Sequence, residues 1–239
     1  MKTASSTKTL AINKIYLATE GEGIHLGTPE VIVRLQGCGV GCRHCDTPAA
    51  LKIGLPNATA AEVMAQVAQY PLVHKRMSLT GGDPLAWAQR AGLLQLIRLA
   101  HQAGYFINLE AHGLTPLAEA REVYDEVDFI SADFKTPSGG PAGKLELLQA
   151  LQQNYASKLQ IKSVILDQAD FRYVLKAYQD AQPWPKQVSW VLTPAFNLGE
   201  SLPVQRIEQI YTWNYQAGGM FKVIVQQHKV VFGPQREDV

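Results

Sequence analysis

Short apolar runs alternate with helix-patterned segments along almost the whole chain, and this alternation limits the folds open to it. Strands are expected at 11–17, 30–35, 76–80, 105–110, 127–132, 159–165, 188–192 and 221–225. Helices are expected at 58–69, 89–103 and 116–124, ahead of 154, and at 168–180 and 203–217. A repeated strand–helix unit implies a mainly parallel sheet with right-handed crossovers. The 239 residues hold too few units for a comfortable eight-stranded barrel. The expected fold is therefore an α/β partial barrel of the (β/α)6 type, with mainly parallel strands. The run Val31-Ile32-Val33 reads as a strand covered on both faces. Met1 to Thr9 is rich in serine, threonine and lysine with nothing to bury, so a flexible tail is expected over 1–10 and one domain over 11–239.

Charge narrows the partners. Lysine and arginine number 22 against 21 acidic residues, a formal charge of +1, which gives no electrostatic footprint for nucleic acid or an anionic membrane. A small molecule is the expected partner. No apolar run approaches the roughly eighteen residues of a membrane span, and the first residues lack a signal-peptide core, so a cytoplasmic location is expected.

All three cysteines fall in one loop, Cys38-x3-Cys42-x2-Cys45, directly after the expected strand at 30–35. The gaps let three thiolates converge on one point. Iron–sulfur clusters are normally held by four cysteines, so three leave one iron without a protein ligand. A zinc site completed by His44 and three unconnected buried thiols are the other readings. Structural zinc usually takes paired spacings with a distant second pair, and nothing here supplies that pair. An odd, clustered set argues against a disulfide framework and for a reducing compartment.

The polar residues fall into a pattern of their own. Arg34, Thr80 with Gly81-Gly82, Glu110, Ser131 to Lys135, Thr193 and Gln226 to His228 all stand at the carboxyl ends of expected strands. In parallel α/β architectures the loops at that end build the active site. The turn Thr19-Glu20-Gly21-Glu22-Gly23 either lets a ligand approach backbone closely or is a plain surface turn. Arg34, ending a strand, needs an anionic ligand or a neighbouring acid.

The cysteine loop resembles that of the radical S-adenosylmethionine superfamily. The Glu20-Gly21-Glu22-Gly23 turn, Arg34, Cys45-Asp46-Thr47, Leu79-Thr80-Gly81-Gly82-Asp83-Pro84 and Gln226-Gln227-His228-Lys229-Val230-Val231 together look like the 7-carboxy-7-deazaguanine synthase family, over about Ile15 to Pro234. The resemblance implies a radical S-adenosylmethionine core and conversion of 6-carboxy-5,6,7,8-tetrahydropterin to 7-carboxy-7-deazaguanine with loss of ammonia, on the route to queuosine and related 7-deazapurines. It implies a 4Fe-4S cluster on Cys38, Cys42 and Cys45, and S-adenosylmethionine near His44, Asp46, Gly82, Ser131 and Lys135. Lys135 reads equally as a solvated lysine in a proline-rich loop. The resemblance also puts the pterin near Thr19, Glu20, Gly21, Glu22, Arg34, Thr80 and His228, and Mg2+ on Thr47, whose other reading is a helix cap. No side chain is assigned a catalytic step beyond the cofactor's radical. An external one-electron reductant such as flavodoxin and a homodimer complete the expectation. A glycyl-radical-enzyme activase shares the cluster spacing but needs neither Arg34 nor Thr47, and a non-catalytic iron–sulfur protein needs no barrel.

Three features depart from the family pattern. Asp83 stands where glutamate is commoner, and Glu110-Ala111-His112-Gly113 replaces Glu-Thr-Asn-Gly. Some members end at the proline equivalent to Pro234 and use its carboxylate on the substrate. Here 235–239 follow it.

Overall fold

The computed structural model describes residues 9–43, 45–197, 199–234 and 236. The chain runs β1 (Thr9–Leu10), β2 (Ile12–Thr19), β3 (Pro29–Leu35), β4 (Ala58–Thr59), α1 (Ala60–Val67), β5 (Arg76–Gly81), α2 (Arg90–Gln102), β6 (Phe106–Ala111) and α3 (Leu117–Glu126). It continues through β7 (Phe129–Asp133), α4 (Leu145–Tyr155), β8 (Leu159–Ile165), α5 (Gln168–Asp180), β9 (Ser189–Pro194), α6 (Val204–Gln216), β10 (Lys222–Val223) and α7 (Gln227–Phe232). The main sheet has eight strands in the order β10-β9-β8-β7-β6-β5-β3-β2. Every neighbouring pair from β3 to β10 is parallel, and β2 lies antiparallel on β3. The sheet does not close on itself among the described residues, so the fold is a partial barrel. No helix among them is long and apolar enough to cross a membrane.

The two faces of the sheet differ in chemistry because side chains alternate along each strand. Val31, Val33 and Leu35 of β3, Met77 and Leu79 of β5, Ile107 and Leu109 of β6 and Ile161 and Ile165 of β8 join one apolar core with the helices. Helix α2 meets it with Leu93, Leu96, Ile97 and Ala100, a spacing that stacks one helical face. Each of the larger side chains, once buried, contributes about 1.5–3 kcal/mol. The opposite face carries Glu30, Ile32 and Arg34, then Arg76, Ser78 and Thr80, then Asn108 and Glu110, then Gln160 and Lys162. The barrel interior is thus largely polar. The strand at 30–35 is not covered by apolar residues on both faces, since its inward face serves the cavity instead.

Local differences from the expected elements have simple causes. Of the tail expected over 1–10, residues 1–8 lie outside the described residues, while Thr9–Leu10 is ordered: it pairs antiparallel with Ala58–Thr59, and Leu10 is fully buried. Thr59 precedes the helix rather than opening it. Its hydroxyl accepts from the Glu62 N–H at 3.2 Å while its own N–H donates to Glu62 Oε2 at 2.7 Å, a reciprocal cap. Gln226 to His228 lead into a short helix, where a strand end was expected.

Candidate active site

The mouth of the partial barrel holds a cleft of about 380 Å³, at the carboxyl ends of the strands. This volume lies in the range of small-molecule sites. Its upper wall is the cysteine loop, whose backbone is tied down on both sides. The Gly37 and Cys38 N–H groups donate to the carbonyls of Ala50 and Leu51 at 2.8 and 3.1 Å, and the Arg43 N–H donates to the Gly139 carbonyl at 2.8 Å. Gly139 is itself fixed through Ser138, whose hydroxyl donates to the buried Asp170.

Cys38, Cys42 and Cys45 are free, half-buried thiols that line the cleft. Burial pushes the Cys42 and Cys45 thiols up, with Cys38 adding to the rise of Cys42, and Cys42 and Cys38 to that of Cys45. Among the described residues no three His, Cys, Asp or Glu side chains are placed to hold a single metal ion. A cluster asks for something else, since each thiolate binds its own iron. Three free thiols on one pinned loop, all lining one cleft, fit that demand.

The second loop presses against the first. A Cβ on Gly82 would stand 2.3 Å from the Gly37 carbonyl oxygen and 2.6 Å from that of Ala50. Only glycine permits this approach, so Gly81-Gly82 brings bare backbone beside the cysteines. Asp46, Thr47 and Thr80 line the same cleft. Thr47 precedes the 3-10 turn Pro48–Ala50 but makes no side-chain cap, and its hydroxyl lies 3.2 Å from Asp46 Oδ1. Lys135 is no solvated lysine: Nζ meets Asp133 Oδ2 at 2.5 Å beside Cys42. Burial pulls its ammonium down, and Asp133 outweighs that and holds it high.

Ser131 departs from expectation. It is fully buried below the cleft, where its hydroxyl accepts from Gln160 Nε2 at 2.8 Å, because its position in β7 faces a lower layer of the interior. The register explains this: Ser131 pairs with Gln160, while Asp133, one layer higher, pairs with Lys162. His44 lies outside the described residues.

Opposite the cysteines stands the turn after β2. Thr19, Glu20, Gly21 and Glu22 all face the cleft. Arg34 reaches it from β3, with its guanidinium on the Tyr16 hydroxyl and 5.0 Å from that ring's centre. Glu22 Oε1 accepts from Lys162 Nζ at 2.9 Å, and Lys162 also donates to Glu110 Oε2 at 2.5 Å. Burial lowers the Lys162 ammonium, but Glu110 and Glu22 overcome it and keep it charged. Burial also lowers His228, against the pull of Glu22, so its ring is neutral near pH 7. Its Nδ1 lies only 2.1 Å from where a Cβ on Gly21 would stand.

Below this wall one guanidinium serves two carboxylates. Arg76 donates from Nη2 to Glu20 Oε2 at 2.5 Å and from Nε to Glu30 Oε2 at 3.0 Å, all three side chains being buried. Burial first, then Glu110 and Glu30, push the Glu20 carboxyl up to about 8 despite Arg76. Glu20 Oε1 has no hydrogen-bond partner among the described residues, nor does Thr193 Oγ1, and both residues line the cleft. Such atoms are costly unless a ligand meets them.

The sequence did not single out Lys162, Tyr16 or the Glu30–Arg76 pair. A lysine at the centre of the apolar strand Leu159–Ile165 was the available signal for the first. Two departures from the family pattern meet each other: His112 Nε2 lies 3.4 Å from Asp83 Oδ2.

Residues 19–134 match the family described as a 4Fe-4S single cluster domain. A 7-carboxy-7-deazaguanine synthase of Bacteroides thetaiotaomicron is 38% identical over 109 residues, 46% of this chain and 55% of that protein. One from Chlorobaculum tepidum is 30% identical over 235 residues, 90% of this chain and the full length of that protein. Among solved structures, QueE from Escherichia coli superposes with a TM-score of 0.67 at 18% identity, over 92% of this chain and 95% of that one.

Proposed function

The chain belongs to the 7-carboxy-7-deazaguanine synthase family, whose members are radical S-adenosylmethionine lyases, and we propose that its cleft converts 6-carboxy-5,6,7,8-tetrahydropterin to 7-carboxy-7-deazaguanine with loss of ammonia. The observation that carries this reading is the facing of the pinned three-cysteine loop by Arg34, Glu20, Glu22 and His228 across one cleft. The cluster and S-adenosylmethionine supply, when bound, the one-electron chemistry that starts hydrogen abstraction from the pterin. The chain's own part is to bind, orient and exclude water.

In this reading Cys38, Cys42 and Cys45 hold the cluster. The backbone at Gly82, with His44, Asp46 and Lys135, receives the amino acid end of S-adenosylmethionine. Ser131 is left out, because it lies beneath the cleft. Arg34 pairs with the pterin carboxylate, a charge-assisted bond suited to its planar fork. Glu20 and Glu22 face the donor nitrogens of the ring, and the unpartnered Glu20 Oε1 is what such a donor would satisfy. Thr19, Gly21, Thr80 and neutral His228 complete the pterin's surroundings. Thr47 offers its hydroxyl to Mg2+, which favours hard oxygens and keeps much of its water. Its freedom from capping supports that role.

The same reading includes a cytoplasmic setting, an external one-electron donor such as flavodoxin, and a homodimer. The half-exposed Val230, Val231 and Phe232 of α7 favour a covering surface.

The test is an anaerobic assay of reconstituted protein with the pterin, S-adenosylmethionine, Mg2+ and dithionite, following product by mass. Product is expected, with none from Cys42→Ala, which also loses its iron. In Arg34→Ala kcat/KM should fall about 10- to 100-fold, the loss of one charge-assisted pair. Cleavage of S-adenosylmethionine with the pterin untouched would retain the radical core and refute the substrate.

A further inference from the structure

The substrate side of the cleft holds more acid than base. Glu20, Glu22, Glu30 and Glu110 all line it, and their ion-pair partners among the described residues are Arg76 and Lys162. Arg76 serves Glu20 and Glu30, and Lys162 serves Glu22 and Glu110. Ionising all four acids would leave two charges unbalanced in a largely buried space, a cost relieved when one acid keeps its proton. Hydrogen bonds decide which one. Glu30 Oε2 accepts from Arg76 Nε at 3.0 Å and from the Ser78 hydroxyl at 2.5 Å. Glu110 accepts from Lys162 and, at 3.1 Å, from Asn108 Nδ2, and Glu22 accepts from Lys162 and, at 3.3 Å, from Gln226 Nε2. The Glu20 carboxyl accepts from Arg76 Nη2 alone, at 2.5 Å. Its Oε1 is unpartnered, on a residue only 4% exposed.

Both ends of that contact are fixed. The Arg76 Nη2 also lies 3.1 Å from His25 Nδ1, its guanidinium stands 4.8 Å from the centre of the Phe106 ring, and the residue is only 7% exposed. The Glu20 N–H donates to the Thr28 carbonyl at 2.8 Å, and its carbonyl accepts from the Gly27 N–H at 2.9 Å. With backbone and one oxygen held, the direction of the other oxygen is set before any ligand arrives.

We propose that Arg76 is a positioning residue for the pterin, holding one oxygen of Glu20 so that the other meets a ring N–H, and that the proton resting on Glu20 leaves as the pterin binds. The inference rests on the function proposed above. The Glu20 O–H bond breaks, its proton passes to solvent, and the carboxylate left behind accepts the ring N–H. No other bond changes. The proton has to leave because Arg76 offers a donor on one side and the ring's amino edge offers another on the other, so an acid hydrogen between them finds no acceptor. The groups that act on Glu20 come from four strands: Glu30 of β3, Arg76 of β5, Glu110 of β6 and Lys162 of β8. Burial, Glu110 and Glu30 retain its proton against Arg76 and Lys162. His25, which touches Arg76, is itself turned toward the neutral ring by burial and by that guanidinium.

The test titrates the reconstituted holoprotein, without reductant and under anaerobic conditions, with 6-carboxy-5,6,7,8-tetrahydropterin in a calorimeter. Phosphate and Tris differ in ionisation enthalpy, so paired titrations at pH 7 count the protons released. Wild type should release about 0.5–1 proton per pterin, and its Kd should tighten by up to about tenfold per pH unit from pH 6 to 7.5. Glu20→Gln should release none of these and show a flat Kd. Glu30→Gln leaves Arg76 to Glu20 alone, so Glu20 is ionised beforehand and release should fall below about 0.3 proton. Arg76→Lys cannot span both acids, and it should weaken pterin binding about tenfold while S-adenosylmethionine binding stays within about twofold. Urea melts show which variants are folded, and the near-isosteric Glu20→Gln and Glu30→Gln decide the matter should Arg76→Lys unfold. Wild type that binds the pterin with no proton released, Glu20→Gln or Glu30→Gln that releases as much as wild type, or folded Arg76→Lys that binds pterin as tightly, overturns the proposal and leaves the function standing. A wild-type holoprotein that binds no pterin removes the functional reading and this inference with it.

Discussion

Gly21 and His228 illustrate how little room the substrate wall leaves. Gly21 has no positive φ, so alanine is allowed there by backbone, yet its Cβ would stand 2.1 Å from the His228 ring. Gly21→Ala should therefore cost about 1–3 kcal/mol through overpacking and weaken pterin binding. In a His228→Ala background the same change should add less than about 0.5 kcal/mol. Denaturant midpoints of the four proteins decide this, and equal costs in both backgrounds would refute the contact. Glu20 makes a prediction of a different kind. Its folded-state carboxyl is raised from 4.5 to about 8, burial being the main cause, so between those values the folded protein keeps a proton that the unfolded chain has released. The unfolded state then binds fewer protons, and stability falls as pH rises through that window. The contribution is full below the unfolded value and is lost toward pH 8, at no more than about 1.4 kcal/mol per pH unit. Glu20→Gln should flatten this part of the profile, read as urea midpoints of cluster-free protein at pH 5.5, 6.5 and 7.5. Parallel profiles for the two proteins would count against the raised carboxyl.

At the level of elements, strand β8 shows what a sequence reveals and what it hides. Its ends, Leu159 and Ile165, follow from the apolar run. Its central Lys162 does not look inward until the register with β7 and β9 is known. There it joins Glu22, 140 residues away in sequence, to Glu110, and replaces hydration with two carboxylates. Lys162→Met should cost about 1–3 kcal/mol, because it leaves two half-buried acids without their buried cation. Adding Glu110→Gln should recover part of that loss in the same melts, and a double variant no more stable than the single would argue against the pair. The same distinction holds throughout the site. The cysteine loop, the glycine pair at Gly81-Gly82 and the strand-end positions of Arg34 and Thr80 were legible, because each is encoded within a few neighbouring residues. The Arg76 bridge from Glu20 to Glu30, the descent of Ser131 below the cleft and the meeting of Asp83 with His112 were not. Those depend on which strands become neighbours and in what register, and a one-residue shift there exchanges the faces.

The whole molecule has one structural problem, a barrel that stops short of closing, and its two edges are β2 and β10. The segments that follow those edge strands meet over the mouth. The Gln227 N–H at the start of α7 donates to the Gly21 carbonyl at 2.7 Å, and Gln226 Nε2 lies 3.3 Å from Glu22 Oε2. From below, the Ile24 N–H donates to Gln160 Oε1 at 2.8 Å and fastens the same turn to β8. The gap is thus bridged by hydrogen bonds at the substrate wall, while the cysteine loop is held independently through Leu51, Ala50 and Gly139. Helix α7 has no fully buried side chain, so it contributes little to the core. A chain truncated after Val225 should therefore fold, take up its iron and bind S-adenosylmethionine nearly as the full chain does. Its affinity for the pterin should fall at least about tenfold, since Gln226 and His228 leave and the Glu20–Glu22 turn loses its tether. Iron content, a thermal melt and separate calorimetric titrations with the two ligands make the comparison. Loss of pterin binding alone would show that the mouth is closed by contacts between the two edges, whereas loss of iron with it would mean that α7 holds the cysteine loop as well, which the hydrogen bonds do not predict.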